Sequence, residues 1–102
     1  MVEEYDPVAN LWSVKATVPT ARYGLASSSV GGRVYFFGGD SGGTYVSAVE
    51  EYNHVTNTWR VATQMSTPRF ELTSAAVDGG IYIIGGNPDG QPAASTVEAY
   101  IP

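Results

Sequence analysis

The chain has 102 residues, 43% of them hydrophobic and 15% charged, which is the profile of one folded domain and not of a disordered segment. A formal net charge of -5, with only Lys15, Arg22, Arg33, Arg60 and Arg69 as cations, argues against nucleic acid and acidic membrane surfaces as partners, and the apolar runs Val34 to Phe37 and Ile81 to Ile84 are far short of a spanning helix. The absence of cysteine excludes disulfides, thiolate nucleophiles and Cys-based metal sites, and it leaves the compartment unknown.

Seven Tyr, two Trp and three Phe beside twelve Gly and six Pro favour short strands joined by tight turns. In chain order, the first two predicted strands are Val2 to Tyr5 and Leu11 to Ala16, joined by the turn-rich stretch from Asp6 to Asn10. Gly24 to Val30 and Arg33 to Phe37 follow, separated by Gly31-Gly32, a two-residue link of the kind a type I′ hairpin needs for positive φ. Next come Val49 to Tyr52 and Thr58 to Thr63, then Glu71 to Val77 and Gly80 to Ile84 across Asp78-Gly79, and last Val97 to Tyr100. Lettered by place in the repeat described next, with A the strand that opens each Gly-linked hairpin, their order is C-D-A-B-C-D-A-B-C.

A shift of about 47 residues superimposes the chain on itself, with 17 of 38 pairs identical between positions 2 to 39 and 49 to 86. Val2-Glu3-Glu4-Tyr5 falls on Val49-Glu50-Glu51-Tyr52, Trp12 on Trp59, Arg22 on Arg69, and Gly38-Gly39 on Gly85-Gly86. Repeat 1 runs over about residues 2–48 and repeat 2 over about 49–96, and a third copy begins at 97–102 with Val97-Glu98-Ala99-Tyr100. A period of this length is the mark of a solenoid or propeller array.

A strand ending in diglycine (Gly38-Gly39), then a Tyr before a turn (Tyr52), then a Trp a few residues on (Trp59) resembles the kelch repeat, and Gly85-Gly86 with Tyr100, and Tyr5 with Trp12, extend the series. The chain departs from that pattern at His54, in place of a turn proline, and at Ile101, in place of the usual Asp after Tyr100. The resemblance implies an all-β fold of two four-stranded antiparallel propeller blades. Two blades leave broad apolar faces uncovered, so the expected partner is a further copy of the chain. A homotrimer making six blades is the leading expectation, with a tetramer or a strand-swapped dimer as alternatives. Nine strands are one more than two blades need, so either Val2 to Tyr5 or Val97 to Tyr100 is surplus.

No catalytic residues are expected. Gly39-Asp40-Ser41-Gly42-Gly43 reproduces the string around the nucleophilic serine of trypsin-like proteases, but the only histidine, His54, falls in a turn at the opposite end and the second repeat has no such string. Glu3-Glu4 and Glu50-Glu51 are adjacent strand residues pointing to opposite faces, so neither pair converges on one substrate. One Glu of each pair is expected to be solvated and the other bonded within the fold. His54 alone makes no metal site, and the copper chemistry of galactose-oxidase-like kelch enzymes lacks its Cys and its histidines here, so no cofactor or metal is expected. The recurring Tyr and Trp residues read as packing residues.

In an up-and-down blade the D–A and B–C connections share one end, and these are the longer and more variable loops here. Kelch domains resemble this arrangement where they bind partners. The candidate ligand-binding residues on that end are Arg22, Tyr23, Asp40, Tyr45, Arg69, Phe70, Asn87 and Asp89. Arg22 and Arg69, flanked by Tyr23 and Phe70, suggest a cationic and aromatic rim for an acidic peptide or a carboxylated sugar. The expected function is that of a non-enzymatic binding scaffold, a piece of a propeller, excised or engineered, that assembles with itself. The alternative is part of a kelch-type carbohydrate-active enzyme resembling the sialate mutarotases, which would need several Arg and Glu converging on the loop end.

Overall fold

The computed structural model describes residues 1–88 and 94–102, and all of its regular structure is antiparallel β. A hairpin comes first, β1 (Val2–Asp6) and β2 (Leu11–Lys15), followed by β3 (Ala26–Val30) and β4 (Arg33–Phe37). After two short strands, β5 (Asp40–Ser41) and β6 (Thr44–Tyr45), come β7 (Ala48–Asn53) and β8 (Thr58–Gln64). Beyond β9 (Arg69–Phe70) lie β10 (Thr73–Val77), β11 (Gly80–Ile84), β12 (Asn87–Pro88) and β13 (Val97–Tyr100).

These strands form one four-stranded sheet in the order β3-β4-β7-β8, a three-stranded sheet β10-β11-β13 and the isolated pair β1-β2. The expected second four-stranded sheet is therefore not formed. Because the repeat is offset, the only D strand besides β8 among the described residues is β2, which pairs there with β1 alone. The register recurs between the two larger sheets: Val34↔Tyr52 and Tyr35↔Glu51 across β4–β7 match Ile81↔Tyr100 and Tyr82↔Ala99 across β11–β13.

Turn chemistry explains the hairpins. Gly31 and Gly32 have φ of 60° and 77°, and Asp78 and Gly79 have 49° and 78°, so both A–B links take the two positive φ values that match strand twist. In the C–D links, Asp6 Oδ1 accepts the amides of Val8 and Ala9 as Asn53 Oδ1 accepts those of Val55 and Thr56, and Asn10 and Asn57 close the turns in the left-handed region.

The core lies between the two larger sheets. Tyr35, Phe37 and Val49 of the first pack with Ile81 and Ile83 of the second, around Met65 and Leu72. The edge strands β3 and β10 of the two sheets meet through a pair of hydroxyls, Ser28 Oγ and Ser74 Oγ at 2.7 Å, and Ser74 also donates to the Ser27 carbonyl at 2.9 Å. Hairpin β1–β2 sits on the other face of the four-stranded sheet. There Ala16 N donates to Asn57 Oδ1 at 2.8 Å and Trp59 Nε1 donates to the Ala16 carbonyl at 2.9 Å.

Candidate functional site

The diglycine at the end of β4 decides how neighbouring sheets meet at the loop end. Gly39 N donates to the Arg69 carbonyl at 2.9 Å, and a Cβ on Gly38 would collide with that same carbonyl oxygen. With Gly38 at φ 67° and Gly39 at φ 104°, backbone approaches backbone where no larger residue fits.

Beneath this contact the two repeat arginines are structural struts. Arg22 donates to the carbonyls of Gly38 and Ala48 and to Glu50 Oε1, the last at 2.8 Å, with both side chains 1% exposed. Arg69 repeats the arrangement, donating to the Gly85 carbonyl at 2.7 Å and to Glu98 Oε1 at 2.9 Å. The Nε of each guanidinium is buried without a hydrogen-bond partner among the described residues. Burial pulls Arg22 below its ordinary pKa, and the Glu50 carboxylate opposes that pull. Each arginine thus ties its diglycine to the C strand of its own sheet, and the cationic rim expected from the sequence does not form. An Arg ahead of a strand reads as an exposed loop residue; the signal that identifies it as a strut is that Glu3, Glu50 and Glu98 recur at nearly the same period as Arg22 and Arg69.

The glutamate pairs also differ from expectation. Glu50 and Glu51 face opposite sides of β7, yet both are buried and bonded. Glu51 accepts from Arg60 at 2.8 and 2.9 Å and from Tyr35 Oη at 2.9 Å. The Arg60 hydrogen bonds hold its carboxyl below the ordinary value, against burial, and Tyr35 and the nearby Arg33 add to the effect. The Tyr35 phenol is pushed up to about 12, chiefly by burial and then by its bond to Glu51. Glu3 and Glu4 occupy the same places in β1 and are both exposed, with Lys15 3.6 Å from Glu4.

Above the struts the loop end does bring candidate residues together. Tyr23 and Asp40 form a β-bridge, and Tyr23 Oη donates to Asp40 Oδ2 at 3.0 Å. Asp40 Oδ1 accepts Gly43 N at 2.7 Å, which shapes the tight β5–β6 turn. Tyr45 lies against Phe70 with ring centroids 4.7 Å apart, and Tyr23 meets Phe70 edge-on at 6.2 Å. Asn87 pairs with Phe70 in the β9–β12 ladder, repeating the Tyr23–Asp40 bridge one period later, and Asp89 lies outside the described residues. Two-residue strands such as β5, β6, β9 and β12 carry no periodic signal, which is why the sequence did not reveal them.

This patch of Tyr23, Tyr45 and Phe70 surrounds the buried Asp40 carboxylate, whose two oxygens are both bonded, and what it offers is aromatic surface. The Asp40 hydrogen bond is the main cause that raises the Tyr23 phenol above its ordinary value, with Glu71 a minor contributor. His54 lies at the opposite end, its Nδ1 3.0 Å from the Gly32 carbonyl, so it does not approach Ser41 or the patch. The packing role read for Tyr and Trp holds for Tyr52, which is buried, and for Trp59, which is half-buried; their counterparts Tyr5 and Trp12 are 42% and 67% exposed.

No curated protein matches the chain. Residues 21–66 match the family model described as the Kelch motif, a span that takes in the whole β3-β4-β7-β8 sheet together with its arginine strut and diglycine, and this match supports a kelch-repeat family for that part of the chain.

Proposed function

We propose that the chain is a non-enzymatic interaction scaffold, a propeller segment that closes its ring with further copies of itself and offers its loop end to binding partners. The observation that carries this reading is hairpin β1–β2. It has the Tyr–Trp–Asn arrangement of the complete sheet, with Tyr5–Trp12 ring centroids at 5.1 Å against 5.0 Å for Tyr52–Trp59, and Tyr5 and Tyr52 each donating to the turn asparagine. Yet Leu11, Trp12 and Val14 are 65%, 67% and 69% exposed. Trp12 repeats Trp59, which is half-buried in the complete sheet, and an apolar cluster left bare around it marks a surface that another body covers.

At the loop end, an acidic peptide or carboxylated sugar would find Arg22 and Arg69 already bonded to Glu50 and Glu98. The aromatic patch of Tyr23, Tyr45 and Phe70 suits apolar groups, or cations that lie over aromatic rings, better. The same pairing weighs against the carbohydrate-enzyme alternative, which requires Arg and Glu turned toward a substrate.

Size exclusion coupled to light scattering tests the assembly. Three copies of a 10.8 kDa chain give about 32 kDa and six blades. A species that stays at 10.8 kDa across the concentration range overturns the reading.

A further inference from the structure

We infer that β13 is a placeholder on the edge of β11, and that hairpin β1–β2 of a second copy takes that edge in its stead. The inference rests on the proposal that copies assemble, and goes further by fixing which strand yields.

The vacant chemistry of the hairpin matches the seat residue by residue. In the complete sheet, C-strand residues Glu50 and Glu51 bond Arg22 and Tyr35. At the corresponding places in the three-stranded sheet stand Arg69 and Tyr82, facing Glu98 and Ala99 of β13. Ala99 offers no acceptor, and Tyr82 remains 41% exposed. β1 in the same register would set Glu3 against Arg69 and Glu4 against Tyr82, so it keeps the buried ion pair and adds the hydrogen bond that β13 cannot make.

The fourth strand supplies a further match. Trp59 Nε1 donates to the carbonyl of Ala16, the residue just after the D strand of the hairpin packed beneath it. One period on, the equivalent carbonyl is that of Thr63, and the equivalent indole is Trp12 of the incoming hairpin. A groove lined by Phe37, Val49, Thr63, Met65, Ile83 and Tyr100 lies open at that place.

The donor of the hairpin must be a second molecule. Within one chain, β1–β2 is held on one face of the four-stranded sheet by Asn57 and Trp59, while β11 lies beyond the other face. The hairpin also enters whole, keeping its Asp6 turn and its Tyr5–Asn10 bond, whereas retaining β13 would require β1 to peel away from β2.

The test compares the 102-residue chain with three variants by light scattering and by Trp12 emission, which should shift to shorter wavelength on assembly. Deleting residues 97–102 is expected to leave the number of copies in the assembly unchanged and to tighten it, about 10-fold or more. Glu3→Ala with Glu4→Ala, at exposed positions of a hairpin otherwise intact, is expected to weaken assembly by about 10- to 100-fold through loss of two bonded carboxylates. Ala99→Glu, which gives β13 the missing acceptor without shortening the chain, is expected to weaken assembly too. Loss of assembly on deletion, with the Glu3 and Glu4 changes neutral, would overturn the inference while leaving self-assembly intact. A monomeric full chain beside an assembling 1–96 chain would reject self-assembly of the full chain and uphold β13 as the blocking strand; if neither assembles, both ideas fall.

Discussion

Glu51 shows at the scale of one residue how a strand side chain becomes a folding switch. Its carboxylate is bonded by Arg60 and Tyr35 on a face that Tyr100 of the next sheet closes, with Tyr35 and Tyr100 rings 5.6 Å apart. A carboxyl held below its ordinary 4.5 in the folded protein contributes stability above the unfolded value and loses it as pH falls through the folded one. Stability measured by urea unfolding is therefore expected to fall as pH drops below about 4.5, and Glu51→Gln to flatten that fall while lowering stability near neutral pH. Sequence alone showed that Glu50 and Glu51 point to opposite faces. It did not show that both faces are covered, because coverage depends on Arg22, 28 residues away from Glu50, and on Arg60 across the C–D turn.

At the scale of elements, the strands and hairpin turns were legible because each is written twice in the chain. Type I′ links at Gly31-Gly32 and Asp78-Gly79 and the repeated register follow from that doubling. What was not legible is how elements meet, since the contact between diglycine and Arg69 carbonyl is made by backbone atoms and leaves no side-chain pattern. The two kinds of glycine should separate cleanly in stability measurements. Gly31→Ala meets no atom within 4 Å and carries only the left-handed backbone cost, about 1 kcal/mol. Gly38→Ala drives a methyl into the Arg69 carbonyl and parts the sheets, and is expected to cost about 3 kcal/mol or more, read as the loss in urea midpoint. Equal effects at the two positions would show that the sheets are not joined through this contact.

For the molecule as a whole, the expected pair of four-stranded blades became a four-stranded sheet, a three-stranded sheet and a hairpin, because a sequence repeat gives a period without saying where sheets are cut. The kelch motif over residues 21–66 coincides with the one sheet that is complete. The motif match thus falls on the complete sheet, while the hairpin outside it leaves Trp12 67% exposed. In the ring proposed above, the Ser28–Ser74 contact would lie toward the axis. Two small hydroxyls set the closest approach of adjacent inner strands, while Phe37, Val49 and Ile83 fill the space further out, so each sheet is a wedge whose taper is fixed by the ratio of narrow rim to thick flank. Widening the narrow rim, as Ser74→Leu would, makes each wedge less tapered, and a ring of blunter wedges takes more of them to come full circle. If copies assemble as proposed, their number is then a property tunable at a single inner position.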